Sequence, residues 1–481
     1  MPYRDHDMLV IELGSHTCRA TLSLAESLAP PQHRFPTRVG VLPSGDYICS
    51  NDLEDATSST EAESLNIIRP LVAGKVADWK ALVALLSHIL YTLTGKEPIL
   101  QPVGNPVLVM CPPCWSPTER ERLTQLFFQT FRVQAFMAAD PAVASLFACS
   151  SLSGLVIDIG HEKTDVTGVF ESIISHPSRQ TVSQLGGRQI TEHLLSLLRA
   201  SPPLDQATQQ SLSASEITLE LAEEIKCSDI CEVPLGNIQQ PAATKGATED
   251  EGVLDIAAVV ASGKTREYLA RAEAEKRNEG GKKQQVIPNA QLSHNTLLLK
   301  SGRTIVVDGA RFKAAERVLS SNELAEAIWS TVNHPTIEAS RRHELWENIV
   351  IVGLGARISG LREALLMRLQ DRFASTGQLG AAPVAIYDPY GQAQAPTIGA
   401  YPTILRAIKI PVHFPEWNIR EADIATGNAS SKGVPEEATF LGAQIIAHIA
   451  FTDTSHSSIA SRNYLDRSMY TELGPCAIHS I

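Results

Sequence analysis

The chain has 481 residues, 43% hydrophobic and 20% charged, with a formal net charge of −12. That length exceeds one ordinary hydrophobic core and predicts two or more domains. The acidic balance excludes a protein that grips nucleic-acid phosphates by itself. No run approaches the ~18 apolar residues of a membrane helix, and the polar start "MPYRDHDM" has no apolar signal core behind it, so neither secretion nor membrane insertion is expected.

The first element is "LVIELGSHTCRATLSL", Leu9 to Leu24. An apolar run ends in an acid, Glu12; Gly14 and Ser15 turn the chain; Cys18, Ala20, Leu22 and Leu24 then alternate at strand spacing. The turn's backbone N–H groups could meet an anion. Further on, the strand-like "NPVLVM" runs into "CPPCW", where Cys111 and Cys114 read as reduced thiols at a strand end. The other close pair is Cys227 and Cys231. A structural zinc site needs two such pairs converging or histidines at ligand spacing, so no metal site is expected.

"LVIDIGHEKTDVTGVF", Leu155 to Phe170, repeats the opening pattern, with Asp158 matching Glu12 and Gly160 matching Gly14. This duplication predicts two similar α/β halves facing each other across a cleft. "SGKT", Ser262 to Thr265, ends like a Walker loop, but Ala258 stands where that loop needs glycine. The same stretch predicts a surface helix from Thr265 to Arg277, with Glu267–Arg271 and Glu273–Arg277 at i,i+4. A third element follows: a buried strand from Ile349 to Val352, a turn bearing Gly353, Gly355 and Gly360, and a helix with Leu361, Leu365, Leu366 and Leu369 on one face.

In order, these three elements resemble the first phosphate loop, second phosphate loop and adenosine loop of the actin superfamily. The likeness continues through "ERERLTQLFFQTFRVQAF", "SQLGGRQITEHLLSLL", "LLKSGRTIVVDGARFKAAERVL", "FLGAQIIAHIAF" and "YTELGPCAIHSI". It implies an α/β, actin-like fold: duplicated ribonuclease-H-like domains around a central cleft, in four subdomains. Residues 1–36, 71–150 and 435–481 would form the first and 37–70 the second. Residues 151–184 and 322–434 would form the third, and 185–321 the fourth. An insertion at about 236–291 is either a solvated decoration or a partner contact.

The resemblance also assigns the cleft position by position. Glu12 and Asp158 stand where carboxylates organise Mg²⁺, and Gly14, Ser15 and Gly160 are kept. His16 stands in place of a glycine, and Arg19 in place of a lysine whose compact charge it does not reproduce. His161 and Glu162 replace an Asp-Gly pair, where a side chain obstructs phosphate and a carboxylate repels it. Pro141 and Asp165 occupy the places of the glutamine and histidine that position water. Lys226 and Gly353 are kept, while Cys227 and Leu354 depart from the pattern. The implied outcome is a degenerate cleft with no catalytic residues, no metal and no required cofactor, weak ATP binding staying open. Glu12, Arg19 and Asp158 then read as a buried charge network closing the cleft.

Within the superfamily, "DIAAVVASGKTRE", "LWENIVIVG", "PVHFPEWN" and "FLGAQII" resemble the class-nine branch of the actin-related proteins, known from fungi. The branch implies a nuclear, non-enzymatic subunit of the SWI/SNF and RSC chromatin remodellers. Its implied partners are a second actin-related protein and the helicase-SANT-associated helix of the motor, with chromatin contacted only indirectly. By position, Phe147, Leu152, Ile446, Ile449 and Phe451 would line the groove for that helix; the last three also fit ordinary core spacing. The mobile subdomain, Arg38 to Ser64, reads as exposed loop. The alternatives are a cytoplasmic capping subunit of the dynactin pointed-end type and a weak ATP-binding actin-like protein.

Overall fold

The computed structural model describes residues 3–24, 28–49, 66–235, 289–375, 405–411, 413–417, 437–452 and 463–480. The helix expected at Thr265–Arg277 lies outside these residues.

The first lobe starts with β1 (Leu9–Glu12) and β2 (Thr17–Leu22), an antiparallel hairpin pairing Glu12 with Arg19. A smaller hairpin follows later, β3 (Leu71–Val72) and β4 (Lys75–Val76). On its other side β1 runs parallel to β5 (Pro106–Met110). His33–Pro36, Ala135–Ala139 and Leu465–Asp466 complete a six-stranded sheet. The strand Ala135–Ala139 leads through Asp140 into α1 (Pro141–Ala148). The Asp140 side chain accepts the Ala142 N–H and so caps that helix.

The second lobe repeats the plan. β6 (Gly154–Ile159) and β7 (Lys163–Phe170) form a hairpin that pairs Asp158 with Asp165, and β6 is parallel to β8 (Ile349–Val352). Each motif is therefore a hairpin whose first strand also carries a parallel neighbour. This topological match bears out the duplication. Between β7 and β8 lie α2 (Gly187–Ala200) and α3 (Leu219–Lys226); after β8 comes α4 (Leu361–Ser375). In α4, Leu361, Leu365 and Leu369 are buried, as their spacing predicts.

The unbroken apolar runs of β1, β5, β6 and β8 have a structural reason, since both faces of these strands are covered. Leu9 and Ile11 point into the first lobe's core, and Leu155, Ile157 and Ile159 into the second's. Val10, Leu108, Val156 and Val350 point into a third core, shared between the lobes. That shared core is built around α1 and α5 (Ala438–Thr452). The two helices approach so closely that a Cβ on Gly442 would sit 1.7 Å from the Ala144 carbonyl oxygen. Only glycine fits there. The lobes are thus fused through a packed helix pair below the cleft.

The stretch expected as exposed loop needs correction up to Cys49, while its remainder, 50–64, lies outside the described residues. Val39–Val41 pairs with Tyr47–Cys49 and with Asn66–Ile68 in a three-stranded sheet, with Val39 and Cys49 buried. Short alternating runs on either side of a Pro-Ser-Gly-Asp turn outweigh the polar composition around them.

Candidate functional site

The two matched hairpin turns face each other across a cavity of about 290 Å³. Glu12, Gly14, Ser15, Arg19, Asp158, Gly160, Lys226 and Gly353 all line it, with Pro141, His161, Glu162, Lys163, Asp165, Cys227 and Leu354. Residues from Glu12 to Ile358 therefore meet at one place. The volume sits at the lower edge of the roughly 300–1,000 Å³ usual for small-molecule sites.

Arg19, Glu162, Lys163 and Lys226 in this cleft already have partners from within the chain. Arg19, buried on β2, donates to Glu12 Oε1 at 2.7 Å and to Glu437 Oε1 at 3.0 Å. Glu437 is also held by Arg34 at 2.8 Å. Burial works against the Arg19 charge, but Glu12 and Glu437 outweigh it and hold the guanidinium above its ordinary value. The Arg19 guanidinium is thus neutralised by two carboxylates.

Asp158 lies opposite Glu12. Burial, then Asp165 and Glu12, push its carboxyl up to about 7, against the pull of Lys163 and Arg19. Lys163 is spoken for, pairing with Asp165 at 2.7 Å on the same strand. Asp165 also accepts the Thr181 hydroxyl at 2.6 Å. Pro141 opens α1 and offers no donor, while its neighbour Asp140 is gripped by Arg179 through both carboxylate oxygens at 2.9 Å. Neither position that would align a water presents a glutamine or an imidazole. Hydrolytic positioning of that kind is typically worth ~10²–10⁴ in rate.

On the far wall, Lys226 closes α3. Its Nζ donates to Glu223 Oε2 at 2.6 Å, the Thr191 hydroxyl at 2.8 Å and the Gly187 carbonyl at 3.1 Å. Those three acceptors use all of the ammonium's donors. Cys227 turns its thiol to Glu223 Oε1 at 3.4 Å, and burial followed by that carboxylate raises the thiol's pKa. Among the described residues, no cluster of three or more metal-ligating side chains is found. All eight cysteines are unbridged, Cys111 buried and Cys114 exposed.

The turns themselves are blocked. The rings of His16 and His161 meet with centroids 4.4 Å apart. Beside them the Glu162 carboxylate takes the Arg69 guanidinium at 2.6 Å and the Ala73 N–H at 2.5 Å. Burial acts to raise the Glu162 carboxyl; these two donors outweigh it and leave it below the usual carboxylate range. Arg69, Glu437, Arg34, Thr191 and Glu223 were not anticipated from the sequence. They carry no motif, and their partners lie as far as 418 residues away along the chain.

The residues expected to line a partner groove divide. Phe451 is buried, edge-on to Tyr3 and Tyr464, and Ile446 is buried in the shared core; both are core residues, not exposed lining. The cause is α5, whose apolar residues run all round because lobes cover it on several sides. Leu152 is 56% exposed and Ile449 47%, and Phe147 is half-buried. Ile173, 73% exposed, follows Ser172, whose N–H donates to the Leu152 carbonyl.

Comparison with known proteins agrees with this geometry. The family described as "Actin" matches residues 4–385. The Schizosaccharomyces pombe protein "SWI/SNF and RSC complexes subunit arp9" is 33% identical, over 99% of this chain and 99% of its own. "Actin-related protein 7" of Arabidopsis thaliana is 29% identical over 46% of this chain and 57% of that protein. Its counterpart in Oryza sativa subsp. indica is 28% identical over 40% of this chain and 50% of that protein. Duplicated hairpins, a cleft between them and a family match across most of the sequence lead to one conclusion: the chain belongs to the actin family.

Proposed function

We propose that this chain is a non-catalytic, nuclear, structural subunit of an ATP-dependent chromatin-remodelling complex. The reading rests on its end-to-end likeness to the fission-yeast SWI/SNF and RSC subunit. A cleft whose cations and loops are occupied by the chain's own side chains supports a scaffold in preference to an ATPase. In finer detail, the subunit pairs with a second actin-related protein on the helicase-SANT-associated helix of the motor. Leu152 and Ile449, with half-buried Phe147, offer the apolar contact that such helix docking needs. The net charge of −12 steers the chain toward a basic helix and away from DNA.

The test is native purification of the tagged full-length chain with mass spectrometry of its companions. A remodeller motor and a second actin-related protein are expected at near-equal amounts. Recovery of dynactin subunits in their place, or steady Mg-ATP turnover by the purified chain, would overturn the reading.

A further inference from the structure

The tip of the β3–β4 hairpin touches both matched turns at once. Ala73 and Gly74 form it, both at positive φ (47° and 79°), which points successive N–H groups outward. The Gly74 N–H donates to Ser15 Oγ at 2.7 Å, reaching the first lobe's turn. The Ala73 N–H donates to Glu162 Oε2 at 2.5 Å, reaching the second lobe's turn. Arg69, just before the hairpin, spans the gap: one terminal nitrogen donates to Glu162 Oε1 and the other to the Ser15 carbonyl, each at 2.6 Å. Trp115 Nε1 fixes the tip from behind by donating to the Gly74 carbonyl at 2.8 Å. Arg188 adds a second guanidinium 3.7 Å from Glu162 Oε1.

Strip away the carboxylate, and what surrounds it is an anion site. A backbone N–H on a left-handed turn, a guanidinium at hydrogen-bond distance and a second one slightly farther out are what a small oxyanion selects. The Glu162 side chain is only 10% exposed, so its charge is held by these donors more than by water. An ordinary ion pair would join two groups. This one joins three segments, Ser15, Arg69–Gly74 and Glu162, drawn from both lobes.

We propose that Glu162 is a tethered ligand: its carboxylate occupies an oxyanion site between the lobes and clasps them. The same site, freed of that side chain, takes a small tetrahedral oxyanion of the phosphate class. This inference stands apart from the remodeller reading, because it concerns contacts within one chain and needs no partner.

Amide hydrogen exchange on the full-length chain tests it, comparing wild type with Glu162→Ala and Glu162→Gln. A hydrogen bond to a charged acceptor is worth roughly a tenfold or larger change in local opening. Exchange at Ala73 and Gly74 is therefore expected to rise at least about tenfold in Glu162→Ala, with β8 unchanged. Millimolar inorganic phosphate should restore most of that protection in the variant and leave the wild type unaffected. Glu162→Gln, which keeps an acceptor and loses the charge, should fall between the two. It also serves as the reporter if the alanine variant fails to fold. Unchanged exchange at the hairpin tip in either folded variant would overturn the clasp. Raised exchange that phosphate does not lower would overturn the oxyanion site.

Discussion

His16 and His161 lie ring to ring across the cleft, 4.4 Å apart and tilted by 45°, each from the middle of one matched turn. They stand between the two turns, on the wall of the cavity. Both rings titrate below the ordinary histidine range. Burial is the first cause in each, and His161, lowered further by His16 and Arg69, falls to about 4.

A histidine that resists protonation when folded makes stability fall on acidification. The unfolded chain takes up its proton near pH 6.5, so the contribution is complete above that value and is lost as pH drops toward 4. His161→Phe keeps a ring and removes the titration. Its melting temperature should fall less than that of wild type between pH 7 and pH 5, by a few degrees. Parallel losses in the two proteins would show that the pair does not govern acid sensitivity.

Asp158 has the opposite sign. Its folded pKa of about 7 lies above the value for an exposed carboxylate, so ionising it opposes folding. The favourable state is complete in acid and is lost as pH rises from about 4 through 7. Asp158→Asn should therefore melt higher than wild type at pH 8, with the advantage shrinking or reversing at pH 5. Thermal denaturation at the two pH values decides it, and a pH-independent difference would refute the assignment.

The Arg19–Glu437 pair joins residues 418 positions apart, and Glu12 sits on the other side of the same guanidinium. Removing the cation leaves shielded Glu12 without its partner and Glu437 held by Arg34 alone. Arg19→Ala is expected to cost about 3 kcal/mol or more, the usual penalty for breaking a buried pair from one side. Urea unfolding provides the measurement. A loss below about 1 kcal/mol would place the pair with weak surface bridges.

The described residues on either side of 236–288 meet at one place. Asn289 donates to the Ile230 carbonyl and to Glu232 Oε1, both at 2.9 Å. Fully buried Arg311 holds the chain after 288 through the Leu292 carbonyl at 2.6 Å and the Asn289 side-chain oxygen at 3.2 Å. Replacing 236–288 by a short Gly/Ser linker should shift the melting temperature by no more than about 1 °C, equivalent to roughly 1 kcal/mol for a chain of this size. Arg311→Lys should cost more, because an ammonium cannot reach so many carbonyls. A large drop on deletion, with a small one for the lysine variant, would mean that the segment itself supports the lobe.

Much of the architecture was readable because it is local. The acid and glycine register of the two hairpins, the Ile349–Val352 strand and the leucine face of α4 follow from patterns within about twenty residues. The assembly of the cleft followed from the repeat. What escaped was contact between distant segments: Glu437 on Arg19, Arg69 on Glu162, Thr191 on Lys226. The β3–β4 hairpin escaped for a second reason, since two-residue strands carry no periodicity. Ile446 and Phe451 show the converse case. A helix covered on several sides hides which of its apolar residues reach solvent.

A carboxylate attached to the backbone cannot diffuse away. Its local concentration is set by the length of its own side chain, and no free anion competes on equal terms. Contacts made by Glu162 come from within the chain and need no second molecule to form. A chain built this way would keep its two lobes in one geometry whatever the supply of small anions around it.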